Sequence, residues 1–174
     1  TFPSYSLYPV ITAIAGGTIA SVAFGEDFSL PVRDLLASQA DLLFLTCPNA
    51  PTGVRFPLAD LRKLASKFSG VLVIDEAYAE FADGSALSLV RAYENVVITR
   101  TFSKAYGLAG LRVGYAIASP AVISILDRVR DSYNVNGLGQ VAALATLGDL
   151  GHYRRNFRRL IATRERLRRE LTGL

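Results

Sequence analysis

One lysine in this chain stands in a setting that a surface lysine does not need. Lys104 follows the hydroxyl of Ser103 within TFSKAYGLAGLRVGY, residues 101–115, and glycines and a single Arg112 come after it. An amine that is partly desolvated beside cations is a good nucleophile for imine formation. An arginine can grip a phosphate through two parallel hydrogen bonds. The stretch predicts imine chemistry beside a phosphate site, although a lone lysine after a strand would also be explained as a solvated surface charge.

Two further polar groups lie where apolar segments end. Asp75 closes the segment VLVID, and Asn49 lies in the turn CPNAPTGV. A carboxylate at an apolar strand end is costly unless it is paired or hydrogen-bonded. Taken alone, Asp75 would also fit the N-cap of a following helix, and the turn around Asn49 would be explained by its prolines and glycine. Asn49 could still offer a side-chain donor to a cleft.

These polar groups interrupt a series of short apolar segments that alternate with helix-like segments. Such alternation predicts an α/β domain with a mostly parallel sheet flanked by helices. The apolar segments lack strict polar alternation, as expected for a sheet covered on both faces. The predicted strands are residues 18–24, 42–47, 71–75, 96–100 and 113–118. The predicted helices are residues 8–15, 31–38, 57–69, 85–93, 120–130, 138–148 and 152–171, with Pro57 in a first helical turn and Gly70 at a helix end.

The predicted strand ends bring the polar groups together. Ligands of open parallel sheets bind beyond the carboxyl ends of the strands, and Asn49, Asp75 and Lys104 all close or follow such strands. The set combines an imine-forming amine, phosphate binders, a carboxylate able to pair with a ring cation, and hydroxyl and amide donors. Pyridoxal 5'-phosphate carries the complementary aldehyde, phosphate, pyridinium nitrogen and phenolic oxygen. The residues therefore predict that cofactor.

Composition restricts the class of protein. The chain has 174 residues, of which 51% are hydrophobic and 20% charged, which is typical of one folded domain. No stretch of about 18 uncharged apolar residues is present, so no membrane span is expected. A single Cys47 excludes an internal disulfide and suits the cytoplasm. Together with the single His152, it gives no basis for a zinc site.

The positive charge is concentrated at one end. The net charge is +4, and residues 152–174 hold eight arginines against Glu165 and Glu170. A nucleic-acid binder could use such a segment. The apolar residues of this segment, however, follow one stripe at helical spacing, which favours an amphipathic helix with a solvated face. No nucleic-acid partner is therefore expected.

Four motifs in this order resemble a known family. They are CPNAPTG at 47–53, DEAYAEF at 75–81, TFSKAYGLAGLRVGY at 101–115 and YNVN at 133–136. The chain resembles the fold-type-I aminotransferases, and among them the histidinol-phosphate aminotransferases. The resemblance implies transamination between histidinol phosphate and 2-oxoglutarate in histidine biosynthesis. Aromatic amino-acid transamination, phosphothreonine decarboxylation and an inactive truncated product stay open as alternatives.

The same resemblance implies a role for each matching residue. Lys104 forms the internal aldimine with the cofactor and later carries a proton between the substrate α-carbon and the cofactor in a 1,3-proton shift. Asp75 holds the proton on the pyridine nitrogen, and Tyr78 is the third catalytic residue. The implied cofactor contacts are those of Asn49 and Tyr78 to the phenolic oxygen, of Thr101, Ser103 and Arg112 to the phosphate, and of Tyr5 to the ring face, with Asn134 a further candidate. The family's N-P-N-x-P-T-G begins with Cys47 here, and Ala50 replaces its central asparagine.

The resemblance also implies how the chain is organised. Residues 1–136 are expected to be part of the cofactor-binding large domain, and residues 137–174 a helical segment leading toward a small domain. The chain is expected to be a central fragment, incomplete at both ends, because it opens without methionine and matches the middle of the family. A cytoplasmic homodimer acting on a small-molecule amino donor and a 2-oxo acid is expected of the full-length protein.

Overall fold

A four-stranded sheet lies at the centre of the structure, a computed structural model that describes residues 1–173. The strands lie side by side in sequence order, and the first three are parallel while the last is antiparallel to its neighbour. They are β1 (Leu42–Thr46), β2 (Val71–Asp75), β3 (Val96–Thr101) and β4 (Gly114–Ile117). The predicted α/β architecture with a mostly parallel sheet is therefore confirmed.

The helices precede, alternate with and follow these strands in the predicted order. They are α1 (Leu7–Ile14), α2 (Val32–Ala37), α3 (Leu58–Lys67), α4 (Pro120–Val129), α5 (Gly137–Gly148) and α6 (Leu150–Thr172). Each begins and ends within two residues of its prediction. In the part of the chain that the structure describes, none of these helices combines the length and the apolar character needed to span a bilayer.

The main core lies on one face of the sheet. Leu45, Ile74 and Ile98 are fully buried there, together with apolar side chains of α2 and α3. On the opposite face Phe44 and Val73 are only half-buried. That face is covered less completely than the other in the described residues, because α2 and α3 pack on the core face, although Val97, the register partner of Val73, is buried. The other face is touched by Tyr8 of α1, which stacks on Phe44.

The predicted strand at 18–24 is not a strand. Its only ladder contact among residues 1–173 is a bridge between Phe2 and Ala23, with the Phe2 N–H donating to Val22 and the Phe24 N–H donating to Phe2. A β-branched apolar segment favours strand geometry, but a strand also needs a neighbour along its length. Among residues 1–173 only Phe2 is a neighbour of this kind, and Val22 and Phe24 are partly buried against the core.

The predicted helix at 85–93 is also wrong. The structure has only a short 3-10 turn at Leu87–Leu89. The N–H groups at its start are taken by side chains, since Ala86 donates to the Glu76 carboxylate and Leu87 donates to the Ser85 hydroxyl. The backbone bonds that follow are mostly of the i→i−3 type, from Val90 to Leu87 and from Ala92 to Leu89, so the segment closes short turns instead of a helix.

Two smaller expectations are also corrected at α3. Pro57 precedes the helix as its N-cap instead of lying in the first turn. Gly70 lies beyond the helix end at Lys67, where a side chain would place its Cβ 2.2 Å from the carbonyl oxygen of Asp41. Gly70 therefore allows the chain to pass closely beside the start of β1.

Candidate active site

The carboxyl ends of the three parallel strands meet at one edge of the sheet. In the strand register Thr46 lies beside Asp75, and Asp75 lies beside Thr99. Asn49 follows β1, and Lys104 follows the end of β3. The sheet thus places the three predicted polar groups at the same edge, as the parallel topology requires.

Asp75 ends β2 with both carboxylate oxygens engaged. Oδ1 accepts the backbone N–H of Ala77 at 3.0 Å, and Oδ2 accepts the phenol of Tyr8 at 2.7 Å. The first bond caps the turn after the strand, so the capping role weighed from sequence is present. It caps a turn, not a helix, and leaves the half-buried carboxylate with further lone pairs toward the edge.

Lys104 lies over the aromatic ring of Tyr78. Its Nζ is 5.6 Å from the ring centroid, within the range of a cation–π contact, and Tyr78 comes three residues after Asp75. Lys104 is exposed, so the expected desolvation of its amine is not found. The amine stays exposed because its contact with the Tyr78 ring covers only one of its sides.

Asn49 is held in a tight, buried turn. Its backbone N–H donates to Val54 and its carbonyl accepts from Gly53, whose φ of +72° only glycine adopts readily. The side chain is 2% exposed, and its amide group donates to Pro3 and Thr52. Its Oδ1 is buried and has no hydrogen-bond partner among residues 1–173. The amide donors predicted for a ligand are thus engaged, while the acceptor is not.

The predicted phosphate binders lie on the loop after β3. The Thr101 hydroxyl accepts the backbone N–H of Ser103 at 3.0 Å and donates to Val113 at 3.3 Å. Arg112 adopts the left-handed conformation, with φ of +56°, and its exposed guanidinium donates to Ala109. Thr101 and Ser103 are therefore brought together, while Arg112 turns toward its own loop.

The two remaining candidates differ in placement. Tyr5 meets Tyr8 edge to face, with ring centroids 5.5 Å apart, and Tyr8 in turn contacts Asp75. Asn134 is exposed, and its backbone N–H donates to Asp131. Within residues 1–173 no hydrogen bond or ring contact joins Asn134 to the other candidates.

Two residues at this edge were not predicted from the sequence. Tyr8 bonds directly to Asp75, and the buried Thr46 hydroxyl lies 3.4 Å from the Tyr8 phenol. A signal for Tyr8 was present in PSYSLY, where it follows Tyr5 by three residues, a spacing that places two side chains on one side of a helical turn.

The turn that carries Asp75 and Tyr78 is fixed by a buried acid between them. Glu76 is 2% exposed and accepts hydrogen bonds from the Ser85 hydroxyl and the Ala86 N–H. It also pairs with Arg100 at 2.7 Å, a side chain that is 20% exposed. The pair links β3 to the turn after β2.

We expect Glu76→Ala to destabilise the folded protein by about 3 kcal/mol, because it leaves a largely buried guanidinium without its carboxylate. Urea unfolding measures the loss. Asp127→Ala is the matched control, since its pair with Arg130 has side chains 59% and 48% exposed and such pairs contribute about 0–1 kcal/mol. Equal losses in the two variants would contradict the structural role of Glu76.

Glu80, on the same turn, should make stability depend on pH. Burial raises the pKa of this carboxyl, and the positive charge of Arg100 opposes the rise. The folded protein therefore binds the Glu80 proton more tightly than the unfolded chain does. The resulting stabilisation is present below the unfolded pKa of about 4.3 and is lost as pH rises through the folded pKa.

Accordingly, we expect Glu80→Gln to melt at a higher temperature than the wild-type protein at pH 7, with the difference vanishing near about pH 4. Thermal unfolding across this pH range is the measurement. Asp83→Asn, an exposed acid three residues away, removes the same charge as a control. A Glu80→Gln difference that grows on acidification would show the opposite linkage.

Comparison with known proteins decides the family. The family model "Aminotransferase class I and II" matches residues 2–174. The chain belongs to this family. It is 46% identical, over 175 aligned residues, to the histidinol-phosphate aminotransferase of Geobacter sulfurreducens, covering 99% of this chain and 49% of that protein. The chain thus spans about half the length of the curated relatives it matches.

Solved aminotransferases share the fold. The histidinol-phosphate aminotransferase of Sinorhizobium meliloti, in complex with pyridoxal-5'-phosphate, superposes with a TM-score of 0.88 at 30% identity, over 94% of this chain and 47% of that one. An aspartate aminotransferase tetra mutant of Thermus thermophilus, complexed with tryptophan, gives 0.86 at 27% identity, over 99% of this chain and 48% of that one. The fold is that of the fold-type-I aminotransferases.

Proposed function

We propose that this aminotransferase uses pyridoxal 5'-phosphate to transfer the amino group of histidinol phosphate to 2-oxoglutarate. The main support for this reaction is that an amine, Lys104, and a carboxylate, Asp75, lie at the same edge of the sheet. Lys104 lies over the ring of Tyr78, on the turn that Asp75 opens. The substrate assignment is supported by the relatives, which are named histidinol-phosphate aminotransferases.

The residues at the edge fit the proposed cofactor in their chemistry. Asp75 offers a carboxylate, Lys104 an exposed amine, and Ser103 a hydroxyl. The buried Oδ1 of Asn49 has no hydrogen-bond partner among residues 1–173, so this acceptor still lacks a donor. Pyridoxal phosphate supplies, when bound, a protonated pyridine ring that draws electrons from the bond broken at the substrate α-carbon.

Lys104 is the proposed proton carrier. Its Nζ takes the proton from the substrate α-carbon and returns it during transfer, as general base and then general acid. The exposed position of the amine leaves it accessible to a substrate. The Tyr78 ring lies on one side of it, with its centroid 5.6 Å from Nζ.

The other residues orient the cofactor. Asp75 supplies the negative charge that holds a proton on the ring nitrogen, since opposite charges favour the protonated form. Hydrogen bonds to the phenolic oxygen are assigned to Tyr78 and Asn49, and for Asn49 this requires exchange of a present amide bond. The phosphate is assigned to the hydroxyls of Thr101 and Ser103 and the guanidinium of Arg112, and the ring face to Tyr5.

Steady-state kinetics of the full-length protein test the assignment. We expect kcat/KM for histidinol phosphate to exceed that for phenylalanine and tyrosine, with 2-oxoglutarate as amino acceptor in each assay. An equal or higher kcat/KM for phenylalanine or tyrosine would reject histidinol phosphate as the preferred amino donor. Lack of amino transfer to 2-oxoglutarate from all three donors would overturn the activity itself.

Aromatic amino-acid transamination is the second candidate. One observation favours it: a structural neighbour of this chain, the Thermus thermophilus variant with TM-score 0.86, was solved with tryptophan bound. The same cofactor residues would serve both reactions, so the donor comparison above separates the two functions.

We also propose the domain arrangement and assembly that the family suggests. Residues 1–136 would form part of the cofactor-binding domain, and residues 137–174 would lead toward a second domain. The proposed assembly is a homodimer in the cytoplasm. The dimer is supported by α1, where Val10 is 50% and Ile14 81% exposed, since exposed apolar side chains of this size favour a covering partner. Light scattering of the full-length protein measures the assembly.

A further inference from the structure

Asp75 is fixed by a residue far away in the chain. The Tyr8 phenol donates to Oδ2 at 2.7 Å from helix α1, 67 residues earlier, while the Ala77 N–H donates to Oδ1. These two donors approach different oxygens of the same carboxylate, so they fix both its position and its rotation. Each oxygen keeps a further lone pair that can accept another hydrogen bond.

Tyr8 is itself held by the sheet. Its ring stacks on Phe44 of β1, with centroids 4.8 Å apart and planes 14° apart. The phenol oxygen lies 3.4 Å from the buried Thr46 hydroxyl, which lies 3.0 Å from the hydroxyl of Ser4. A chain of hydroxyls thus runs from Ser4 through Thr46 and Tyr8 to Asp75.

The proton between Tyr8 and Asp75 belongs to the phenol. Burial raises the pKa of Tyr8 far above its usual value, and the hydrogen bond and negative charge of Asp75 raise it further. The Thr46 hydroxyl acts in the opposite direction and does not outweigh them. Tyr8 therefore stays a donor throughout the neutral and mildly alkaline range.

We propose that Tyr8 is the positioning residue for Asp75, holding its carboxylate toward the cofactor ring nitrogen through the phenol hydrogen bond. This inference rests on the proposed function, because it assigns a partner to the carboxylate of that same site. Without the phenol, the Ala77 N–H would be the one remaining donor to the carboxylate among residues 1–173, and the carboxylate could then rotate.

Tyr8→Phe in the full-length protein tests the proposal, because it removes the hydroxyl and keeps the ring that stacks on Phe44. We expect pyridoxal phosphate to bind about tenfold more weakly in equilibrium dialysis, as for loss of a hydrogen bond to a charged group. We expect kcat to fall while KM for the amino donor stays within about twofold of wild type, because Tyr8 is proposed to act through its bond to Asp75 and not through the amino donor. Thr46→Val should give the same changes at smaller size, because its contact is longer.

Tyr93→Phe is the matched control, since Tyr93 is a half-buried tyrosine just before β3 at the opposite edge of the sheet. It should leave cofactor affinity and kcat at wild-type values. Tyr8→Phe with a lowered melting temperature but unchanged affinity and kcat would mean a purely structural role and overturn the proposal. Failure of the wild-type protein to bind pyridoxal phosphate would instead overturn the proposed function, and this inference with it.

Discussion

Lys104→Ala should abolish amino transfer, with a loss of about 10⁴-fold or more in kcat, because the variant has neither the nucleophilic amine nor the proton carrier. Treatment of the wild-type holoenzyme with sodium borohydride should fix the cofactor on this residue through a secondary amine. Mass spectrometry of the digested protein locates the label. The variant should take up no borohydride-stable label.

The chain provides its own control for this experiment. Its other lysines are Lys63 and Lys67, both exposed on α3. Lys67 ends α3 four residues before β2 begins, at the opposite end of the strands from the site, so Lys67→Ala should retain full activity and full labelling at Lys104. A label on Lys63 or Lys67, or turnover retained in Lys104→Ala, would reject the assignment.

The architecture could be predicted because its signals are local. Apolar segments of strand length alternate with helices whose limits are marked by residues such as Pro120 and Gly148. The failures at 18–24 and 85–93 have a non-local cause. A strand at 18–24 needs a neighbour along its length, which residues 1–173 provide only at Phe2, and the segment 85–93 is anchored at its start to Glu76, ten residues before Ala86.

The candidate site likewise has a part that the sequence predicts and a part that depends on long-range contacts. Asn49, Asp75 and Lys104 follow parallel strands, so topology alone places them at one edge. The Tyr8 contact spans 67 residues and depends on α1 lying across the open face of the sheet, which no local pattern specifies. The exposure of Lys104 likewise depends on which segments cover the edge.

Asp75→Asn should lower kcat about 100-fold or more while the protein still folds and still binds the cofactor at Lys104. The asparagine side chain has the same shape, and its oxygen can accept the bond from Tyr8 or from Ala77. It carries no negative charge, so it cannot favour the protonated ring nitrogen. The measurement is single-turnover amino transfer, which isolates the chemical step from substrate binding.

Comparison of Asp75→Asn with Lys104→Ala distinguishes loss of the negative charge from loss of the amine. Asp75→Asn should keep the borohydride-stable label and lose the rate, whereas Lys104→Ala should lose both. Asp41→Asn, an exposed acid just before β1 at the far edge of the sheet, removes the same charge and should leave the rate unchanged. If Asp75→Asn also keeps the wild-type rate, another group must hold the ring proton. Asp75 is the carboxylate that ends a parallel strand at the same edge as the lysine. A wild-type rate would therefore mean that its position at this edge does not give it the proposed role in the reaction.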